Sequence, residues 1–249
     1  MNEMISILCP TRGRPEFMES LVQSAYETAG KPISIKYLQF IFYIDEDDSG
    51  SISKLDSLKH GFNEGTWDKV NVAAVIGPRI NLSEAWNRCY EKADGDILFH
   101  AGDDLIFKTR GWDEMVRIQF RDSKDKILFV GGQDGLHPPE NNFITHGFLH
   151  RNWVECVGYF VPPYFSSDYN DTWLNDVADR IERKIYLKDL FIEHMHPLAG
   201  KHFWDRTHLE RLERHRKDKP QDLYAEKTEE RKRDAAKLEQ YILDIKDKQ

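Results

Sequence analysis

Residues 37–50 read YLQFIFYIDEDDSG. The first eight form an apolar and aromatic run without alternation, the pattern of a strand buried on both faces, and the run stops abruptly at Asp45-Glu46-Asp47-Asp48-Ser49-Gly50. Residues 96–104, DILFHAGDD, repeat the arrangement: Asp96 to Phe99 predicts a strand, and Gly102-Asp103-Asp104 follows at once. Twice, carboxylates crowd the C-terminal end of a buried strand.

Working outward, Met4 to Cys9 is a short apolar run stopped by Pro10, and Pro15 opens a helix with Phe17, Leu21 and Ala25 on one face. Val70 to Ile76 predicts a third strand, closed by Gly77-Pro78. Asn81-x-x-Glu84 then resembles a capping box, and Leu82, Ala85, Trp86, Cys89, Tyr90 and Ala93 give the following helix one apolar face before Asp94-Gly95 breaks it. Further on, Ile127 to Val130 reads as a strand, Thr172 to Ile181 as a helix, and Ile185 to Ile192 leads into Glu193-His194-Met195-His196. Strands alternating with helices predict a Rossmann-like α/β fold with a mainly parallel sheet, in which ligands bind at the carboxyl ends of the strands. The acidic clusters therefore define a site.

After about residue 205 the composition shifts to dense alternating charge, with Leu238, Tyr241, Ile242 and Ile245 as a narrow helical stripe. The chain divides on this reading into one domain, 1–204, and a charged helical C-terminal extension, 205–249, packed on the core or on a partner. Within it, Arg211, Arg214, Arg216, Lys217 and Lys219 are diluted by acidic neighbours and read as a solvated face. The whole chain of 249 residues carries a formal charge of −8, which excludes the global basic excess that draws a protein unaided onto nucleic acid or anionic lipid. Three dispersed cysteines, Cys9, Cys89 and Cys156, fit neither a disulfide framework nor a zinc site and read as reduced thiols. Glu3 stands where a signal peptide would be basic, and no apolar run approaches the roughly 18 residues that cross a bilayer. A soluble protein of the cytoplasm is expected.

Hard carboxylate oxygens such as those of Asp103 and Asp104 suit a divalent cation, and a transition ion also accepts imidazole, which His194 and His196 offer on one face of an extended strand. Arg79, at the end of the third strand, suits bidentate pairing with a diphosphate, and Lys201 is a weaker phosphate candidate. His60, His137, His146, His150, His202 and His208 have no comparable context.

An ordered series of these motifs, over roughly residues 4 to 200, resembles the GT-A-fold glycosyltransferases, in particular the family 2 group and its small phage and bacterial members. Ser6 to Arg14 (SILCPTRGR) is similar to that family's opening strand and nucleotide-pocket loop, which implies nucleotide contacts from Pro10, Thr11, Arg12 and Arg14. Tyr43 to Ser49 resembles its second acidic motif and gives Asp45 the base or ribose. Asn81 to Asp104 resembles the helix, strand and DxD turn of the fold, with Gly102 and Asp103 at the nucleotide and Asp103 and Asp104 at the metal. The turn departs from the family's usual Asp-Ala-Asp-Asp in having Ala101 where the first carboxylate stands. Gly111-Trp112-Asp113-Glu114 matches a segment often found after the turn and reads as structural.

The second half is similar to the family's acceptor side. Asp168 to Asp176 resembles the helix start that carries the catalytic base, for which Asp171 is the first candidate and Asp176 and Asp168 its rivals; Trp153, Tyr169 and Trp173 are candidates to stack on the acceptor. Glu193 to His196 occupies the place of a late metal-binding histidine, His194 before His196. The resemblance implies a metal-dependent hexosyl- or pentosyltransferase using Mn²⁺ or Mg²⁺ and a nucleotide-sugar donor, first of all a UDP-sugar. Its hydroxyl acceptor would be a modified base of phage DNA or a surface glycan, and a phage-encoded chain would work in the host cytoplasm. Nucleotidyl transfer on a related sheet, and a non-catalytic module that binds nucleotide or sugar, are the competing readings.

Overall fold

The computed structural model describes residues 3–30, 34–60 and 71–247. Ile5–Thr11 (β1), Leu38–Asp45 (β2), Val72–Gly77 (β3) and Ile97–His100 (β4) form the first half of the sheet. All three pairings among them are parallel, in the order β3-β2-β1-β4. Val70, the expected start of the third strand, lies outside the described residues. Pro15–Thr28 (α1), Ser49–Lys59 (α2) and Leu82–Glu91 (α3) are the crossovers. Asn81 caps α3 by accepting from the Glu84 amide at 2.8 Å, as the capping-box pattern requires.

Beyond β4 the sheet becomes mixed. Leu105–Phe107 (β5), Phe129–Gln133 (β6), Gly147–His150 (β7) and Lys184–His194 (β8) extend it in the order β4-β7-β6-β8-β5. β7 is antiparallel to both neighbours, β6 and β8 are parallel, and β5 is antiparallel to β8. β5 and β7 are too short, at three and four residues, to leave a periodic signal. β5 matters because it holds β8 against the Asp103-Asp104 turn that precedes it, with Leu105 opposite His194.

Because strand side chains alternate between faces, β2 feeds two cores. Phe40, Phe42 and Ile44 pack with α1, α2 and Trp112–Asp122 (α4), while Ile41 and Tyr43 pack with α3, Arg151–Val157 (α5) and Asn170–Arg180 (α6). Trp112 is wholly buried and its indole donates to the Ala25 carbonyl at 3.0 Å, which confirms the Gly-Trp-Asp segment as structural. Arg206–Asp218 (α7), Pro220–Glu226 (α8) and Thr228–Asp247 (α9) complete the chain. Ala235, Leu238 and Ile242 of α9 are buried in the second core beside α5 and α6. No described helix is long and apolar enough to cross a membrane, and Cys9, Cys89 and Cys156 are all free.

Candidate active site

A cavity of about 540 Å³ opens at the C-terminal ends of β1, β2 and β4, with β8, the loop before α6 and one face of α7 as its other walls. On its β1–β2 side the loop after β1 is held by charge. Arg12 donates to Asp45 at 2.6 Å and to Asp47 at 2.6 and 3.1 Å, and the Gly13 amide donates to Asp48 at 2.6 Å. Asp48 also caps α2 through the Ser51 amide, so one acidic run fixes both the loop and the helix behind it. Pro10, Thr11, Arg12, Arg14, Asp45, Arg79, Gly102 and Asp103, the expected nucleotide residues, all line this cavity.

Asp103 and Asp104 are both buried and share Arg14, whose Nη1 is also 3.8 Å from Asp104 Oδ2, but their closer partners differ. Asp103 accepts from Thr11 Oγ1 at 2.8 Å and from Arg14 Nη1 at 2.9 Å. Burial pushes its carboxyl up, and the Arg14 charge pulls against that. Asp104 instead faces imidazoles: His194 Nε2 is 3.4 Å from Oδ1 and His208 Nε2 is 3.7 Å from Oδ2. Burial would raise its carboxyl too, but the His194 and His208 contacts outweigh it and hold Asp104 well below the usual carboxylate range.

Around Asp104 the imidazoles form a file. Ring centroids are 5.0 Å apart for His146 and His194, 5.1 Å for His194 and His196, and 5.2 Å for His196 and His208. Burial lowers both His146 and His196 to about 4, with the His194 charge adding to it; both are neutral imidazoles near pH 7. His146 Nε2 and His194 Nδ1 are buried without a hydrogen-bond partner. Among the described residues no three His, Cys, Asp or Glu side chains form a ready-made cation shell. The 3.4 Å between Asp104 Oδ1 and His194 Nε2 is longer than a charge-assisted hydrogen bond. It matches the separation of two ligands sharing one ion with bonds of about 2.1 Å. Asp103 has each oxygen engaged, by Thr11 and by Arg14, whereas the oxygens of Asp104 face His194 and His208.

On the opposite wall stand Asp168, Tyr169 and Asp171. Arg211 donates to Asp168 at 2.6 Å and His215 Nδ1 lies 2.6 Å from its other oxygen, so Asp168 is committed to α7. Asp171 sits in the first turn of α6, accepts from the Thr172 amide at 2.7 Å and makes no ion pair among the described residues, His137 acting on it only through its charge. Burial pushes its carboxyl up. Tyr169 precedes the helix in a left-handed conformation, φ 76°, costly for a residue with a Cβ, and lines the cavity.

Four expected site residues lie elsewhere. Asp176 is on the far side of α6, bonded to Arg180 at 3.0 Å and to Arg231 of α9 at 2.7 Å. Trp153 and Trp173 are each 1% exposed in the second core, out of an acceptor's reach; the Trp173 indole donates to Asp234 of α9 at 3.2 Å. Lys201 pairs with Glu193 at 2.8 Å and does not line the cavity.

Conversely, His137, His146 and His208 line the cavity, and sequence context had singled out none of them. The one signal within reach was Asp205-x-x-His208: Asp205 caps α7 by accepting from the His208 amide, and a cap fixes which face the first turn presents. Asp205 also takes two bonds from Arg14, at 2.7 and 2.9 Å, tying α7 to the β1 loop. Residues 211–219 are thus not wholly a solvated face, because Arg211 and Arg214 line the cavity.

No family model and no curated protein matches the sequence. Solved structures do match the fold. A mannosyltransferase of Pyrobaculum calidifontis, PcManGT, in complex with GDP-Man and Mn²⁺, aligns with a TM-score of 0.61 at 14% identity over 78% of this chain and 57% of that one. S. aureus TarS 1-349 in complex with UDP aligns with a TM-score of 0.57 at 12% identity over 76% and 60%. The same fragment with UDP-GlcNAc gives 0.56 at 11% identity over 81% and 62%. The chain thus spans less than two thirds of each of these proteins, and at such identities the likeness is one of fold. The chain has the Rossmann-like GT-A fold of these glycosyltransferases.

Proposed function

We propose that the chain transfers a sugar from a nucleotide-sugar donor, first of all a UDP-sugar, to a hydroxyl acceptor. The observation that carries this reading is the convergence of Asp45, Asp104, His194 and Asp171 on one cavity at the strand ends. The donor's nucleoside lies along the β1 loop and Asp45, with Arg12 holding that carboxylate in place. Asp104 and His194 are the side chains that would hold a divalent cation, Mn²⁺ or Mg²⁺. That ion, when bound, supplies positive charge beside the departing diphosphate. Arg14 cannot take the cation's place, because Asp103 and Asp205 already occupy its guanidinium.

Asp171 is the base. In an inverting transfer it takes the proton of the acceptor hydroxyl as that oxygen bonds to the anomeric carbon. The bond from that carbon to the diphosphate breaks, and its electron pair leaves with the diphosphate oxygen. The raised carboxyl of Asp171 makes it a stronger proton acceptor than an exposed aspartate. Asp168 is excluded from this role by Arg211 and His215. Tyr169 and the ring of Phe143, both in the cavity wall, are the acceptor-facing aromatics in place of Trp153 and Trp173.

Thermal unfolding with nucleoside diphosphates and nucleotide-sugars, each with and without Mn²⁺, tests the reading. A ligand at a hundred times its Kd adds about 2.7 kcal/mol, on the order of 5–10 °C for a chain of this size. A UDP shift that requires Mn²⁺ is expected. No shift with any nucleotide in either condition overturns the proposal.

A further inference from the structure

The cations around the cavity are nearly all satisfied from within the protein. Arg12 is paired with Asp45 and Asp47, Arg14 with Asp103 and Asp205, Arg211 with Asp168, and Arg79 with Glu210 of α7. Arg214 differs. It lines the cavity, makes no hydrogen bond or ion pair among the described residues, and its Nε is shut off from solvent without a partner. Burial and the charge of a second guanidinium, Arg79, lower the proton affinity of Arg214, and the carboxylates of Glu210, Asp168 and Asp218 offset this only in part. A guanidinium nitrogen shut off from water without a partner, beside a like charge, is costly. An anion offering two oxygens to its fork offsets that cost.

We propose that Arg214, flanked by Arg79, binds a phosphate group carried by the acceptor; the assignment to the acceptor rests on the transferase reading above. Place decides between the two phosphate sources in such a reaction. His208 marks the Asp104 end of α7, at 3.7 Å, and Arg214 lies six residues further along the helix, about 9 Å at 1.5 Å per residue. That rise carries the Arg214 backbone away from the Asp104 and His194 end of the cavity. The intervening turn of α7 instead grips Asp168 through Arg211, three residues before the candidate base Asp171, so Arg214 stands beside the acceptor's wall. A phosphate there would hold an acceptor hydroxyl toward Asp171 from a distance. The acidic chain as a whole repels such an acceptor, and this subsite gives it one local point of attachment.

The test titrates inorganic phosphate, with acetate as control, into the full chain and into Arg214→Gln and Arg214→Lys, by calorimetry. Wild type is expected to bind phosphate in preference to acetate, with affinity reduced about tenfold or more in Arg214→Gln and partly kept in Arg214→Lys, as for loss of a charged hydrogen bond. Matching urea midpoints establish that both variants fold. Saturating UDP with Mn²⁺ is expected to leave the phosphate affinity within about twofold. Equal binding by wild type and Arg214→Gln overturns the subsite. Displacement of phosphate by UDP assigns the subsite to the donor and overturns the acceptor assignment. Arg214-dependent phosphate binding by a chain that takes no nucleotide under any condition overturns that assignment too, and locates the failure in the transferase reading, leaving the anion subsite intact.

Discussion

Asp103 and Asp104 are neighbours in sequence with different work to do, and the difference is testable. Asp103 neutralises Arg14, whose side chain is 8% exposed. Asp103→Asn leaves part of that buried charge uncompensated and is expected to lower stability by about 3 kcal/mol in urea unfolding. Asp104→Asn keeps shape and removes the charge facing His194; it is expected to weaken UDP binding by about tenfold or more in Mn²⁺, with little change when metal is absent. Isothermal titration of both variants in both conditions distinguishes the roles, and a metal-dependent loss confined to Asp103→Asn would reverse them. The GDD turn was legible as a strand-end carboxylate pair. Which carboxylate faces the histidines was not, because the choice is made by Thr11 and Arg14, 92 and 89 residues away. Asp171 carries a second prediction. A base works only when deprotonated, and burial raises this carboxyl above its ordinary 3.8, so the rate of donor turnover should rise with pH through a limb above that value. Asp171→Asn should abolish turnover while sparing UDP binding; a variant that keeps both activity and the limb would remove Asp171 from the mechanism.

α7 shows how an element without an apolar stripe is positioned. Its only fully buried residue is His208, and polar contacts hold it: Asp205 to Arg14, Glu210 to Arg79, Arg211 and His215 to Asp168. Helix reading by hydrophobic periodicity detects burial of carbon and is blind to a helix docked by ion pairs, which is why residues 211–219 read as a solvated face. β1, β2, β4 and α3, whose positions depend on apolar burial, were legible to within a few residues, whereas the short β5 and β7 were not. Asp205→Ala removes both the cap of α7 and a partner of Arg14, and is expected to cost about 1–2 kcal/mol in urea unfolding. It should also weaken UDP binding, since His208 and the β1 loop lose a shared anchor. Unchanged affinity with reduced stability would show that α7 is a structural brace and not a wall of the nucleotide site.

At the scale of the molecule, the boundary expected at residue 205 cuts through both the second core and the cavity. Leu238 is fully buried with Ala235 and Ile242 against α5 and α6. Asp234 accepts from the Tyr159 hydroxyl and the Trp173 indole, and Arg231 holds Asp176. A chain ending at 204 would expose that face and strip Asp168, Asp176 and Arg14 of partners from residues 205–249. Losing buried Leu238 alone is worth about 2–5 kcal/mol by the usual cost of truncating a core leucine, a large share of the 5–15 kcal/mol that stabilises a typical protein. The 1–204 fragment is therefore expected to lose cooperative urea unfolding and nucleotide binding together, and a separately made 205–249 segment should restore both on mixing. A 1–204 fragment that unfolds at the midpoint of the full chain would instead make the sequence boundary a domain boundary. It would leave the GT-A core to bind donor without α7, and confine residues 205–249 to the acceptor side that Arg214 marks.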